Sequence, residues 1–591
     1  MSQYQAPLRD MKFQIEEVLD FPAHYARFAQ GQEASPDIVE AILDGAAQFA
    51  ENVLAPLDAV GDEHGCQWQD GEVTTPPGFK DAYQEYIANG WTSLAMPVEL
   101  GGQGLPASLA GFCMEICTTA NHAWTMYPGL SLGGIHTINA HASEDIKARY
   151  LPKLVAGTWS ATMCLTEAHC GSDLGLLRTK AVPVEDGMYA ISGSKIFISS
   201  GEHDLTENIV HIVLARLPDA PPGIKGISLF LVPKFMVDAQ GNVGERNQVR
   251  CGSIEHKMGI HGNATCVINF DGAKGYLISE PHKGMSAMFT FINESRMGVA
   301  QQGLAQMEAS HQNALRYAHE RVQFRGTKRE NPEAAADPII VHPDIRRMLF
   351  TQKAFIEGGR ALSYFLAMQT DLERYSESAA DKEQADALLS LLTPIAKGFL
   401  SEVSIEATSY GIQILGGHGY IREWGQEQHF RDARITSIYE GTSGIQGLDL
   451  LGRKILASGG KALEPFVKLV LGFCQENPES AYTPIVQKQI QEWIALTREL
   501  GAKAMQDADE VNSAAYEYLM YSGYTVLAWI WAQAAVVADK ALAGETADRD
   551  FYQAKLDTAR FYFERLLPRT LALAAGIRAG VGTLPPFPKA E

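Results

Sequence analysis

Basic residues are scarce in this chain relative to acidic ones. Its 591 residues include 49 Lys and Arg against 70 Asp and Glu, which gives a formal net charge of −21 at pH 7. DNA, RNA and anionic membranes are polyanions that reward basic patches, so this balance argues against them as partners. It does not argue against a phosphate-bearing small molecule, which needs only a local cluster of hydrogen-bond donors.

Long apolar runs and secretory features are also missing. The best membrane candidate, Thr525 to Val537, is interrupted by Gln533 and falls well short of about 20 residues, so it predicts a buried helix. The first ten residues lack the basic-then-apolar pattern of a secretory signal. We therefore expect a cytoplasmic protein without a membrane span.

Recognisable cysteine and glycine motifs are absent too. The eight cysteines form no C-x-x-C pair, and Cys113 and Cys117 have the spacing of core-facing thiols on a helix. We expect reduced cysteines and no metal site, since His169, His261 and His418 stand alone rather than in metal-ligand spacing. No G-x-G-x-x-G occurs, so a Rossmann dinucleotide site has no support.

The length suggests about three or four domains, and the hydrophobic pattern changes character along the chain. Ile38, Ile42, Ala46 and Phe49 have helical spacing. Runs such as 189–198, 209–214 and 227–232 are instead typical of strands. Because no long helix separates these strands, an antiparallel barrel or sandwich is favoured over a parallel sheet.

Helical periodicity returns near Met285 and is broken by a polar insert from Gly326 to Pro338, which predicts a surface loop. The fold class is mainly α with a central β domain. The predicted divisions are an N-terminal leader, a helical domain, a β domain, a helical bundle and an extra C-terminal helical domain, over residues 1–35, 36–160, 161–281, 282–457 and 461–591.

One carboxylate stands in a short polar turn between apolar neighbours, in the stretch from Ser437 to Gln446. Isolation of Glu440 from water would weaken its charged form and make it a stronger base. Gly441, Thr442 and Ser443 offer close backbone approach and hydroxyls to a phosphate-bearing ligand. The alternative is an ordinary helix N-cap at Thr442 or Ser443.

Two motifs flank the start of the β region. Thr166, Gly171 and Ser172 could meet a ring carbonyl, a ribityl chain or a phosphate, or could form an ordinary polar turn. About 25 residues later, Phe197 could cover a planar cofactor while Ser199 offers its hydroxyl. The alternative for this second motif is a strand end that enters a turn.

Two further motifs fall in the helical region. Arg296 and Arg321 are 25 residues apart, close to seven helical turns, so we expect both on one helix face together with Phe324. They could hold two phosphate groups or simply be solvated. The segment from Gln413 to Tyr420 predicts a glycine-rich helix end that could pass close to a nucleotide.

In this order and spacing, five motifs resemble the acyl-CoA dehydrogenase family over roughly residues 40–455. The N-terminal leader and the region after about 460 resemble its long bacterial branch, which includes 3-methylmercaptopropionyl-CoA and fatty acyl-CoA dehydrogenases. The motifs that carry the resemblance are 164–173, 195–199, 321–324, 413–417 and 439–442.

The resemblance implies a flavoenzyme that holds FAD between the β domain and the second helical domain. Glu440 would remove the α-proton of an acyl-CoA, and electrons would pass to electron-transfer flavoprotein. Ser172, Arg296, Glu440 and Gly441 would bind acyl-CoA. The positions implied to bind FAD are Met163, Leu165, Thr166, Ser172, Phe197, Ser199, Arg321, Phe324, Gln413, Gly416, Gly417 and Thr442.

The chain departs from the family pattern at several positions. Arg325 and Gly326 lead into the long insert, Gly444 and Gly447 stand where the family often has Gln and Arg, and His261 replaces an Arg. Two other functions share the motifs: an acyl-CoA oxidase, and a non-dehydrogenating DNA-associated or scaffold member. The retained Glu440 and the acidic charge argue against the last. We expect a homodimer, and the acyl chain length stays open.

Overall fold

The computed structural model describes residues 4–329 and 331–588. Its α-helices, in chain order, are α1 Leu8–Lys12, α2 Phe21–Tyr25, α3 Ala29–Gln32, α4 Pro36–Phe49, α5 Ala55–His64, α6 Phe79–Ala88, α7 Ala107–Ala120, α8 His122–His141, α9 Glu144–Val155, α10 Gly284–Glu320, α11 Pro343–Tyr375, α12 Ala379–Leu415, α13 Gln426–Arg434, α14 Ser443–Leu448, α15 Glu464–Glu476, α16 Thr483–Ala504, α17 Asp509–Ala543, α18 Arg549–Phe561 and α19 Arg569–Ala579.

The strands lie almost entirely in the middle of the chain. They are β1 Gln67–Gln69, β2 Glu72–Thr74, β3 Trp159–Cys164, β4 Lys180–Pro183, β5 Tyr189–Ser199, β6 Asn208–Arg216, β7 Ile227–Pro233, β8 Phe235–Val237, β9 Val243–Arg246, β10 Val249–Ile254 and β11 Thr265–Leu277. Helices therefore dominate on both sides of one β region, as predicted.

The chain divides into two compact units. The first contains Ala41–Gly298 and the described residues up to Ala6, and the second contains Pro7–Glu40 and the chain from Val299 onward. The predicted leader thus belongs to the second unit from Pro7 onward, where it folds into α1, α2 and α3.

The β region of the first unit is a barrel. Strand β11 pairs with β5 and β7, β5 pairs with β4, and β4 and β7 both pair with β6, which closes the ring. Strands β3 and β10 extend it at β6 and β11. Most pairs are antiparallel, whereas β3 and β4 run parallel to β6. Strands β6 and β7 are buried on both faces, which explains their nearly continuous apolar sequence.

The second unit is built on long helices. The segments Ala379–Tyr420 and Asp509–Ala543 have the length and apolar composition of a membrane span, but 72% and 56% of their most apolar windows are buried inside the protein. They pack closely: a Cβ on Gly398 of α12 would lie 2.4 Å from Leu519 of α17. A buried core position accounts for both sequences, and the predicted buried helix from Thr525 lies within α17.

Two predictions about the second unit have different outcomes. Helix α10 ends at Glu320, so the prediction that Arg321 and Phe324 continue its face with Arg296 is wrong. The chain turns away because Val322 pairs with Pro338 and the Gln323 N–H donates to the Asp337 carbonyl. The described part of the insert from 326 to 338 contains no helix or strand, in agreement with a loop.

Candidate active site

The turn around Glu440 has an unusual backbone. Glu440 has φ = 57° and Gly441 has φ = 88°, both in the left-handed region. Glycine adopts this conformation freely, but for a residue with a Cβ it costs on the order of 1–3 kcal/mol and persists only where the surroundings enforce it. Glu440 is therefore held in place by its neighbours.

Buried side chains hold this turn. The Gln446 Nε2 donates to the carbonyls of Glu440 and Gly441 at 3.1 and 3.2 Å, and the Lys397 Nζ donates to the Gly441 carbonyl at 2.6 Å. Lys397 and Gln446 are both fully buried. Both carbonyls after the carboxylate are thus fixed, which fixes the peptide planes that carry them.

The alternative interpretation of the motif is also confirmed, because Thr442 is the N-cap of α14. Its hydroxyl accepts a hydrogen bond from the Ile445 N–H at 3.3 Å. The cap fixes the start of α14. Gln446 lies one helical turn further along, where its side chain reaches the carbonyls of Glu440 and Gly441. The capping role and a catalytic role for Glu440 are compatible.

Glu440 lies in a mixed environment. It is half-buried, Ile438 is 47% exposed, and the Tyr439 hydroxyl donates to Gln302 Oε1. Burial, together with the nearby carboxylates of Glu440 and Asp432, raises the pKa of Tyr439 well above its usual value. Tyr439 is therefore a neutral hydrogen-bond donor at physiological pH.

In the first unit, the two motifs at the start of the β region come together. The Ile196 N–H donates to the Thr166 carbonyl at 2.9 Å, and the Lys195 Nζ donates to the Leu165 carbonyl and Glu167 Oε1, both at 2.9 Å. Burial would raise the pKa of Glu167, but the charge of Lys195 and the hydrogen bonds lower it to about 2. This ion pair joins the end of β3 to β5.

Phe197 projects from a β-bulge. In the pairing of β5 with β11, Ile198 faces Cys266 but Lys195 faces Ile268, so two residues of β5 oppose one of β11. Phe197 has φ = 58° and is 60% exposed, and Ser199 follows opposite Thr265. Such bulges redirect side chains and are common next to active sites.

The other predicted residues of this unit are at the end of β3 and on α10. Met163, Leu165 and Thr166 are half-buried, and Ser172 is exposed. Arg296 is only 7% exposed. An arginine buried to this degree is uncommon and differs from the solvated alternative.

The predicted residues of the second unit that lie outside the base turn are accessible to solvent. Arg321, Phe324, Gln413, Gly416 and Gly417 are all exposed. The end of α10 and the turn after α12 are joined because the Tyr317 hydroxyl contacts His418 Nδ1 at 3.0 Å. The His418 ring in turn stacks on Trp424 with centroids 4.4 Å apart.

Two histidines differ from their sequence-based interpretation. His169 does not stand alone, since its ligand atoms and those of Glu167 and Cys170 lie within 4.8 Å of one another. The Glu167 carboxylate, however, already accepts a hydrogen bond from the Lys195 ammonium. His169 Nε2 lies 3.0 Å from the Leu176 carbonyl oxygen. A cation would have to displace the Lys195 ammonium from this carboxylate.

His261, where the family resemblance leads us to expect an arginine, is positively charged at neutral pH. Its Nδ1 lies 2.9 Å from Asp62 Oδ1 and its Nε2 lies 2.8 Å from the Lys257 carbonyl. The hydrogen bond to Asp62 raises the pKa of His261 to about 9. A charged histidine at this position thus pairs with Asp62 and donates to the Lys257 carbonyl.

Sequence reasoning missed the side chains that support the base turn. Lys397 is a single charged residue in the apolar run from Leu391 to Leu400, and a lone charge at a core position is the available signal. Gln446 follows the motif in sequence, but only the fold shows which carbonyls it binds.

Family comparisons agree with this arrangement along nearly the whole chain. Four family models match: "Acyl-CoA dehydrogenase, N-terminal domain" over residues 37–158, "Acyl-CoA dehydrogenase, middle domain" over 162–273, "Acyl-CoA dehydrogenase, C-terminal domain" over 282–456, and "Acetyl-CoA dehydrogenase C-terminal like" over 466–585. The chain belongs to the acyl-CoA dehydrogenase family, and the predicted resemblance is confirmed.

Similar proteins are matched over more than nine-tenths of their length. The chain is 40% identical to the 3-methylmercaptopropionyl-CoA dehydrogenase of Ruegeria pomeroyi, with 95% of this chain and 96% of that protein covered. It is 35% identical to the broad-specificity linear acyl-CoA dehydrogenase FadE5 of Mycobacterium tuberculosis, with 96% of each covered. Its fold resembles that of an acyl-CoA dehydrogenase from Bacillus anthracis complexed with FAD, with a TM-score of 0.74, 20% identity, and 96% of this chain and 91% of that chain covered.

Proposed function

We propose that this protein is an FAD-dependent acyl-CoA dehydrogenase in which Glu440 removes the α-proton of an acyl-CoA to give a trans-2-enoyl-CoA. The observation that carries the proposal is the left-handed Glu440, held by the buried Lys397 and Gln446. Strain of this kind is concentrated at functional sites, where it pre-organises a reacting group. An N-cap motif alone requires no such conformation at the residue two positions before the cap.

A fixed carboxylate suits this chemistry. A thioester α-proton is a weak acid, so the base must already be close to the carbon that it deprotonates. The peptide planes after Glu440 are fixed by hydrogen bonds to both carbonyls. Its own backbone N–H is the proposed donor to the thioester carbonyl as negative charge develops there.

The residues predicted to bind FAD have the chemistry that this cofactor requires. Phe197 and Phe324 present aromatic rings that are 60% and 80% exposed, each from a residue with positive φ. A Cβ on Gly416 or Gly417 would meet no atom within 4 Å, so the backbone there is open to close approach by a nucleotide. FAD, when bound, accepts the hydride equivalent from the β-carbon.

In this proposal each group has a defined task. Thr166 and Ser199 would hold the flavin ring, Ser199 through its hydroxyl, beside Met163, Leu165 and Phe197. Arg321, Phe324, Gln413, Gly416 and Gly417 bind the adenine-diphosphate part, and Thr442 contacts FAD beyond the base. Ser172 contacts both FAD and CoA, while Arg296 and Gly441 bind the acyl-CoA.

The names of two relatives support the proposed substrate class, and the proposed electron acceptor rests on the family resemblance. A relative that acts on 3-methylmercaptopropionyl-CoA and one of broad specificity for linear acyl-CoA both align with nearly all of this chain. We propose an acyl-CoA from this range, electron-transfer flavoprotein as acceptor, a homodimeric state and a cytoplasmic location. We also propose that the chain is organised as a leader, a helical domain, a β domain, a helical bundle and an extra C-terminal helical domain.

Anaerobic mixing of the flavin-loaded protein with acyl-CoA esters tests the proposal. The series should include butyryl-, octanoyl- and palmitoyl-CoA, together with 3-methylmercaptopropionyl-CoA and its isostere pentanoyl-CoA, in which a methylene replaces the sulfur. We expect substrate-dependent bleaching of the flavin and re-oxidation by electron-transfer flavoprotein. No bleaching with any ester would contradict the proposal, and rapid re-oxidation by oxygen instead would indicate an oxidase.

A further inference from the structure

The C-terminal helices contact the base turn directly. Helix α17 runs along α14, and the backbone of Ala515 lies against Gly447 so closely that a Cβ there would be 2.4 Å from the Ala515 carbonyl oxygen. No side chain fits at Gly447 unless α17 moves. Gly447 is the last residue but one of α14, immediately after Gln446, which holds the carbonyls of Glu440 and Gly441.

A second contact reaches the same turn through side chains. The Tyr516 hydroxyl of α17 donates to Glu402 Oε2 at 3.1 Å, and Glu402 Oε1 accepts from the Ser443 hydroxyl at 2.5 Å. Ser443 is buried, and it is the first residue of α14. Hydrogen bonds to a charged acceptor are stronger than those between neutral groups, so this chain of contacts ties α17 to the N-terminal end of α14.

The two contacts act at opposite ends of one short helix. Helix α14 has six residues and continues into a π-helical segment, Asp449–Leu456, and helical segments of this combined length are at best marginally stable on their own. Its position must therefore be set by what packs around it. Buried α12 lies on one side through Lys397 and Glu402, and α17 lies on another through Ala515 and Tyr516.

We propose that the C-terminal domain is part of the machinery that positions the catalytic base, with Tyr516 and the Ala515–Gly447 contact as its positioning elements. This inference rests on the proposed role of Glu440. It also explains why glycine occupies position 447, where the family resemblance leads us to expect arginine. Because Gly447 has no side chain, α17 can pack against the end of α14. Neither Tyr516 nor Ala515 touches the reacting atoms, so both act through α14 and Gln446.

Three pairs of variants separate positioning from general stability. Tyr516→Phe removes the hydroxyl that reaches Glu402, whereas Tyr518→Phe removes a hydroxyl of the same helix that contacts Thr497 at 2.6 Å. Gly447→Ala forces α17 away, whereas Gly452→Ala places a methyl at an ordinary 3.5 Å from Val511 of the same helix. Glu402→Gln keeps an amide that can bond to both hydroxyls, and Glu402→Ala does not.

The first measurement is independent of the reaction. Hydrogen exchange of the backbone amides in residues 438–446 reports how firmly the base turn is held. We expect about tenfold faster exchange there in Tyr516→Phe and Gly447→Ala, and wild-type exchange in Tyr518→Phe and Gly452→Ala. Unchanged exchange at the base turn in both test variants would overturn the inference, even if the protein proved to have another activity.

The second measurement is the rate of flavin reduction per bound flavin. At saturating substrate we expect this rate to fall about tenfold in both test variants, because a small displacement of the base from its reactive position slows proton removal. The substrate concentration that gives half the maximal rate should not change, and Glu402→Gln should recover most of what Glu402→Ala loses. Loss confined to melting temperature or flavin content, with a wild-type rate per flavin, would contradict a positioning role.

Discussion

At the scale of single residues, backbone strain coincides with the predicted site. Nine described residues other than glycine have positive φ, and three of them, Phe197, Phe324 and Glu440, are predicted site residues. Phenylalanine and glutamate rarely adopt the left-handed region unless the structure enforces it. The sequence motifs that predict all three as site residues contain no information about backbone conformation. Strain therefore supports these motifs independently of the resemblance that first singled them out.

The exposed ring of Phe197 gives a prediction about cofactor affinity. Phe197→Ala should weaken FAD binding about tenfold, because a flat apolar surface for the flavin is lost. The melting temperature of the flavin-free protein should change little, since the ring is 60% exposed. Flavin titration by fluorescence quenching measures the effect, with Val182→Ala, another exposed barrel residue, as the control.

His261 predicts a dependence of stability on alkaline pH. Its pKa is raised to about 9 by Asp62, so the pair stabilises the fold fully below the unfolded value of about 6.5 and loses this contribution as pH rises through 9. The melting temperature of the wild type should fall between pH 7 and pH 10 more steeply than that of His261→Gln. Parallel curves for the two proteins would refute this assignment.

At the scale of helices and strands, the sequence predicted the elements well where periodicity decides them. Strands β5, β6 and β7 contain the runs from Tyr189, Ile209 and Ile227, and the absence of helices between them correctly favoured a barrel or sandwich over a parallel sheet. Arg321 was misplaced because helical spacing alone does not show where a helix ends. The end of α10 is set by the pairing of Val322 with Pro338, a contact formed across the insert.

The supports of the base turn lay beyond sequence reasoning for a similar reason. Lys397 is 44 positions away from the carbonyl that it binds. No local pattern encodes such a distance, and the apolar surroundings of Lys397 suggest only that a charge is buried there. From the sequence, Gly447 is only a departure from the arginine that the family resemblance implies. The close approach of Ala515, which leaves no room for a side chain, explains the glycine.

Lys397 gives a prediction at this scale. Lys397→Met keeps the length of the side chain but leaves the Gly441 carbonyl without its closest donor. The rate of flavin reduction should fall about tenfold, because the Gly441–Thr442 peptide is then held by Gln446 alone and the turn that carries Glu440 is less firmly placed. Lys454→Met, which removes a 2.7 Å hydrogen bond to Ser390 away from the turn, should retain the wild-type rate. Equal rates in the two variants would contradict the role of Lys397.

At the scale of the whole molecule, the N-terminal residues and the C-terminal helices form a single packed unit. Asp10 accepts hydrogen bonds from Arg360 of α11 and Lys555 of α18, and Lys555 also pairs with Glu357 at 2.9 Å. Phe13 packs edge-on against Phe551 with ring centroids 5.5 Å apart. The contacts with Phe551 and Lys555 join residues more than 500 positions apart in the chain, so the sequence could suggest a leader but not its place.

Asp10 gives the corresponding stability prediction. Although burial alone would raise it, the cations of Lys555 and Arg360 hold the pKa of Asp10 well below its usual value. The carboxylate therefore stabilises the fold at neutral pH, and this contribution is lost as pH falls below the unfolded value. Asp10→Asn leaves two buried cations short of a partner and should destabilise by about 3–5 kcal/mol.

Chemical denaturation at pH 7 measures this change, and Arg9→Ala is the matched control. Arg9 pairs with the more exposed Glu17 and Asp548, and such pairs contribute at most about 1 kcal/mol. If Asp10→Asn were no less stable than Arg9→Ala, the leader would not anchor the C-terminal helices in the way described.

The role of Glu440 is the central claim, and anaerobic stopped-flow reduction of the bound flavin tests it most directly. Glu440→Gln keeps the size and the hydrogen-bonding capacity of the side chain but cannot accept the α-proton. With the best acyl-CoA of the series, the wild type should bleach rapidly, and the variant should bind the ester but reduce flavin at least about 1,000-fold more slowly. Bleaching of Glu440→Gln at the wild-type rate would show that another group is the base.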